Sequence, residues 1–181
     1  MPRVVAFLRA INVGGRNIVA MTRLREIFEE LGFQDVETFI ASGNVIFTTP
    51  SSNSGALEKK IESRLEKALG YEVKTFLRTD AEVAAIACYK PFAPAALNTA
   101  AALNVAFLSE PLAAEGRKVV AAFKTDIDDF HVKGREVYWL CRESQSRSKF
   151  SNARFEKQLR IAATFRGIRT IEKLAGKHCR S

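Results

Sequence analysis

The chain is poor in the residues that most often carry catalysis. Its 181 residues include two histidines, three cysteines and one tryptophan. Neither His131 nor His178 stands at zinc-ligand spacing from a cysteine, so no metal site is expected. Cys88, Cys141 and Cys179 are odd in number and far apart, with no Cys-x-x-Cys pair. That pattern excludes a disulfide framework and fits a reducing, cytoplasmic setting. There is no Gly-x-Ser-x-Gly elbow, no Walker A run and no Gly-x-Gly-x-x-Gly. The apolar runs are too short to cross a bilayer, and Met-Pro-Arg-Val-Val has no signal-peptide pattern, so no membrane partner is expected.

What is present describes a globular protein. Hydrophobic residues make up 47% and charged residues 27% of the sequence, enough for one sizeable core or two small halves. The net charge of +8 is unevenly spread. Residues 1–141 carry 17 basic and 17 acidic side chains, and residues 142–181 carry 11 basic and 3 acidic. A basic segment behind a neutral body suggests an anionic partner, with a solvated surface as the alternative.

Residues 3–9 read as a strand that is apolar without alternation, hence covered on both faces. Thr22 is placed to cap a helix whose Leu24, Ile27, Phe28 and Leu31 share one face, and Gly32 ends it. Strands follow at residues 35–41 and 45–49, around a turn at Ser42-Gly43-Asn44. A second helix runs from Leu57 to Gly70, and residues 72–78 form a fourth strand. This is a βαββαβ order, the ferredoxin-like arrangement. Thr79-Asp80-Ala81-Glu82 is a capping box opening a short helix. The Pro- and Ala-rich stretch to Ala100 reads as a linker between a half at residues 1–89 and a half at residues 102–181. The second half reads as strand 103–109, helix 112–123, a hairpin around Gly134-Arg135, and a helix capped by Ser151 and stapled by Phe150 and Phe155. Residues 164–174 read as a further helix where a strand would complete the copy. The expectation is an α+β protein of two ferredoxin-like halves, the second incomplete.

In a sheet ordered 4-1-3-2, the end of strand one lies beside the turn between strands two and three. Arg9, Asn12, Gly14, Gly15 and Arg16 then meet Ser42, Gly43 and Asn44 at one rim. Backbone N–H groups in glycine turns can hold an anion, and the arginines add charge. The same residues also suit turns that bind nothing: Asn44 can satisfy its own hairpin and Asn12 its own loop. Lys149, Arg154, Lys157, Arg160, Arg166 and Arg169 form a second candidate, able to contact phosphates. Asp126-x-Asp128-Asp129 could offer oxygen ligands to Mg²⁺, but reads better as an acidic turn.

Arg9-Ala-Ile-Asn-Val-Gly-Gly15 and Ser42-Gly-Asn-Val-Ile-Phe47 resemble the domain-of-unknown-function family 1697. The likeness extends to Gly134-Arg-Glu-Val-Tyr138, Ser148-Lys-Phe150 and the closing segment from Thr164. It implies two ferredoxin-like halves and brings no activity. Family members usually close with Thr-x-Arg-Asn-Trp-x-Thr; here Gly167 and Ile168 replace the Asn and Trp.

The first functional expectation is a cytosolic protein binding a phosphate-bearing or other anionic ligand, a nucleotide or nucleic acid, at the rim and the basic segment. An enzyme for a small anionic substrate is the alternative, with Arg9, Asn12, Asn44 and Lys149 or Arg166 as electrophilic groups, although no histidine lies near the glycine turns. A structural or interaction protein is the third. The sequence leaves any cofactor unknown.

Overall fold

Arg3–Leu8 forms the first strand, β1, and every residue after Arg3 in it is buried. Successive side chains on a strand point to opposite faces, so this burial means that both faces of the sheet are covered. A computed structural model describes residues 1–12, 15–40 and 43–178. The chain divides into two compact units, Met1–Ile86 with the segment from Lys173 onward, and Ala87–Glu172.

In the first unit β1 is followed by α1 (Met21–Glu30), β2 (Gln34–Thr38), β3 (Asn44–Thr48), α2 (Ser54–Leu69) and β4 (Thr75–Thr79). The strands make one antiparallel sheet in the order β2-β3-β1-β4. Leu24, Ile27 and Phe28 of α1 and Leu57, Ile61 and Leu65 of α2 share a core with Val4, Ala6, Leu8, Val45 and Phe47 of the sheet. Apolar positions three and four apart put these residues on one face of each helix. Phe33, just beyond Gly32, stacks on Phe47 with ring centroids 4.3 Å apart. Asn53 caps α2 by accepting from the Ala56 N–H, and Gly70 closes it at φ +82°. Thr79 and Glu82 exchange hydrogen bonds of 3.2 and 2.8 Å at the start of α3 (Asp80–Cys88), a complete capping box.

The second unit contains α4 (Pro94–Thr99), β5 (Ala102–Phe107), α5 (Ala114–Ala121), β6 (Asp128–Lys133), β7 (Glu136–Cys141), α6 (Asn152–Leu159) and β8 (Thr164–Gly167), and α7 (Ile168–His178) begins in it. Its sheet order, β6-β7-β5-β8, repeats that of the first. The registers match as well. Val5 lies opposite Ile46 and Arg78, and Val105 lies opposite Tyr138 and Arg166. Phe123, Trp139, Phe150 and Phe155 dominate this unit's core. Ser151 caps α6 by accepting from the Arg154 N–H, and the Phe150 and Phe155 rings lie 6.1 Å apart as the staple requires.

Three sequence expectations need correction. Residues 164–174 are not one helix: Thr164–Gly167 is β8, so the second half has its fourth strand. Four residues give too short a period to stand out, and the helical spacing of Ile168, Ile171 and Leu174 behind them masks the strand. The Pro- and Ala-rich stretch is not simply a linker, because Pro94–Thr99 is helical, with proline where its missing N–H costs nothing. Thr22 lies inside α1, whose N-cap is Ala20 and carries no side-chain cap.

Candidate functional site

The structure brings the two turns of the first unit together. The Leu8 N–H donates to the Gly43 carbonyl at 2.8 Å. Gly43 has φ +82°, and a Cβ there would sit 3.1 Å from Cβ of both Leu8 and Ile11. Glycine is therefore favoured twice over, by conformation and by close approach. The two asparagines serve the turns themselves. Asn12 accepts from the Val19 N–H at 2.7 Å and donates to the Val19 carbonyl at 3.2 Å. Asn44 is buried and donates to the Phe39 carbonyl at 2.9 Å. Arg9 is half-buried; Gly15 and Arg16 are exposed, and Arg16 makes no ion pair among the described residues. Gly14 and Ser42 lie outside the described residues, as does Cys179.

The basic segment separates into two classes. Lys149, Arg154, Lys157, Arg160 and Arg169 are exposed. Arg166 is not: it is buried on β8 and donates to Thr164 Oγ1 at 2.8 Å and to the Phe165 carbonyl at 2.9 Å. Burial pulls its pKa down to about 10. The sequence groups Arg166 with the other basic residues as a phosphate contact; the structure places it apart from the exposed ones, buried on β8. Arg78, at the matching position of the first sheet, is also buried and donates to the preceding carbonyl at 2.8 Å.

Asp128 is a structural carboxylate, not one of a cluster of metal ligands. It is buried and accepts from the Trp139 indole N–H at 2.8 Å, from the Ser148 hydroxyl at 2.9 Å and from the Thr125 hydroxyl at 3.0 Å. Ser148 in turn accepts from the Phe150 N–H at 3.0 Å, which fixes the loop that presents Lys149. Asp129 instead faces Arg142 and Lys124 in partly exposed ion pairs. Among the described residues no group of three or more histidine, cysteine or acidic side chains is placed to hold a metal ion.

A cavity of about 280 Å³ lies within the second unit. Its wall comes from three separated segments: the end of α3 and the residues just beyond it, α4 with the start of β5, and the first turns of α7. Lys90, Asn98, Arg169 and Glu172 supply polar side chains, and Leu97, Leu103 and Ile168 supply apolar ones. None of those four polar side chains makes a hydrogen bond or ion pair with another described residue. Tyr89 also borders the cavity. Its hydroxyl is 2.8 Å from His131 Nε2, and Lys133 Nζ lies 3.5 Å from its ring centroid. Tyr138 stands beside this group, its phenol pushed well above the usual range by burial and then by Glu136 and Tyr89. Sequence reading identified Arg169 but missed Lys90, Asn98 and Glu172, because no spacing links residues that only the fold assembles.

The chain resembles a solved structure of a conserved bacterial protein from Streptococcus pneumoniae, with 24% identity, a TM-score of 0.75 and coverage of 97% of both chains. That likeness speaks to the fold alone. No curated protein matches the chain. No helix among the described residues is long and apolar enough to cross a membrane. The family model described as "Protein of unknown function (DUF1697)" matches residues 1–138, more than half of the sequence, and the chain belongs to that family.

Proposed function

We propose that the protein binds a small phosphate-bearing or other anionic ligand in the cavity of the second unit. One observation carries this reading: Lys90 and Arg169, from distant parts of the chain, border the same cavity, and neither is paired with a carboxylate. Arg169 belongs to the basic segment that the sequence singles out. A guanidinium and an ammonium at one mouth can share a carboxylate or phosphate through charge-assisted hydrogen bonds. The volume sits near the lower end of ligand cavities, which span roughly 300–1,000 Å³, and favours a small ligand over a whole dinucleotide. The rim of the first unit is the weaker candidate, since Asn12 and Asn44 hold their own turns. We read each half as ferredoxin-like, on the support of the βαββαβ order and the repeated sheet order. The free thiols of Cys88 and Cys141 support a cytoplasmic setting.

The test is a thermal-shift screen with inorganic phosphate, sugar phosphates, nucleotides and short oligonucleotides, followed by titration calorimetry. A ligand at 100 times its Kd stabilises by about 2.7 kcal/mol. Lys90→Ala and Arg169→Ala are each expected to weaken binding by about tenfold or more. Absence of any shift across the panel refutes the reading. A second reading, nucleic acid on α6, is supported by the exposure of Lys149, Arg154, Lys157 and Arg160. It requires affinity that falls steeply with salt and that is lost when Arg154, Lys157 and Arg160 are changed to Glu.

A further inference from the structure

We infer that the ligand of this cavity carries a cationic amine as well as an anionic group, and that Glu172 receives the amine. The inference rests on the anion reading above and adds the class of molecule. Glu172 lines the same cavity as Lys90 and Arg169 and is unpaired like them. Both Arg169 and Glu172 belong to α7, three residues apart. That spacing puts their Cβ atoms about 5–6 Å from each other, on neighbouring parts of one helix face.

Helix stability does not account for the arrangement. A helix N-terminus favours acidic side chains and disfavours basic ones. The first turn of α7 contains no acidic residue and holds Arg169, with the carboxylate displaced toward the next turn. The Arg-before-Glu order is also the less favourable one for an intrahelical pair. The arrangement does suit a molecule with two opposite charges a few ångströms apart. A simple dianion would meet the Glu172 carboxylate as a like charge, whereas an amine turns that repulsion into a hydrogen-bonded ion pair.

Size and wall chemistry narrow the class. About 280 Å³ is the volume of roughly nine liquid waters. That admits a molecule the size of an amino acid or a short aminoalkyl phosphate. Leu97, Leu103 and Ile168 offer an apolar wall to a short carbon chain, and Asn98 adds an uncharged donor and acceptor.

The experiment uses matched pairs that differ only in the amine. The full chain is titrated calorimetrically with O-phosphoethanolamine and ethyl phosphate, and with 4-aminobutyrate and butyrate. At least one amine-bearing member is expected to bind about tenfold or more tightly than its amine-free partner. Glu172→Gln, an exposed substitution, is expected to erase that advantage and leave the amine-free affinity equal or improved. Arg169→Gln is expected to weaken both members. Equal or tighter binding of the amine-free compounds to the parent overturns the inference and leaves the anion reading standing. An amine advantage that persists in Glu172→Gln also overturns it. No binding by either member of both pairs, or binding indifferent to Arg169→Gln, overturns the inference together with the anion reading.

Discussion

Gly43→Ala tests whether the meeting of the two turns in the first unit is a packed corner or an open cradle. Two effects add at this position. The backbone sits at φ +82°, where an L-residue costs roughly 1–2 kcal/mol. The new methyl would also lie 3.1 Å from Cβ of both Leu8 and Ile11, and 3.4 Å from the Leu8 carbonyl oxygen. Both neighbours are fully buried, and neither contact is the loose end of a flexible side chain, so each must give by a few tenths of an ångström. Such overpacking costs roughly 1–3 kcal/mol. Together about 2–5 kcal/mol is expected, read as a fall in the urea midpoint at constant slope. Gly15→Ala is the internal control. It shares the left-handed backbone, at φ +74°, but its Cβ would meet nothing within 4 Å. It should cost only the conformational part, roughly 1–2 kcal/mol. The difference between the two variants isolates the close approach. If Gly43→Ala is no more destabilising than Gly15→Ala, the turns do not pack as described, and the Leu8–Gly43 contact is not what holds them.

Three further outcomes are expected in the second unit. Asp128→Ala strands the Trp139 indole and the Ser148 hydroxyl, and is expected to cost about 2–4 kcal/mol; because the chain has one tryptophan, its fluorescence reports the loss directly, and an unchanged emission spectrum would contradict the network. Gly167→Ser is expected to stabilise by about 0.5–1 kcal/mol, since the backbone there is unstrained and Asn104, whose Nδ2 is buried without a partner, has its Oδ1 3.9 Å from the added Cβ; a lower melting temperature would refute this. Burial raises the Cys141 thiol above its ordinary value, so its contribution to stability is complete below the unfolded thiol's pKa and is lost as pH rises through the folded value. Cys141→Ala should flatten that part of the pH–stability curve, and in the native parent Cys88 should alkylate well before Cys141.

Local chemistry was legible in the sequence wherever one short stretch decides it. The unbroken apolar run of β1 announced burial on both faces, and Thr79 and Glu82 announced a capping box. Two asparagines were legible only as alternatives, ligand groups or turn supports, and their hydrogen bonds favour the turns. Arg166 misled because a basic residue in a basic stretch looks solvated, and only its alternation on a four-residue strand turns it inward. The cavity was not legible at all. Lys90, Asn98, Arg169 and Glu172 come to one wall from the segment just beyond α3, from α4 and from α7, and no periodicity connects them.

The Asp128 carboxylate acts as a crosslink in a chain whose described cysteines are unpaired. It ties Thr125 on one side and Ser148 on the other to the start of β6, closing a loop whose anchor residues are 20 apart in sequence. A disulfide of that span would restrict the unfolded chain and would open under reducing conditions. A carboxylate with three donors leaves the unfolded chain unrestricted, ignores redox potential and exists only when Trp139 is already seated in the core. The clasp is therefore conditional on packing: the loop that presents Lys149 is tied to a carboxylate that also holds the Trp139 indole of the second core.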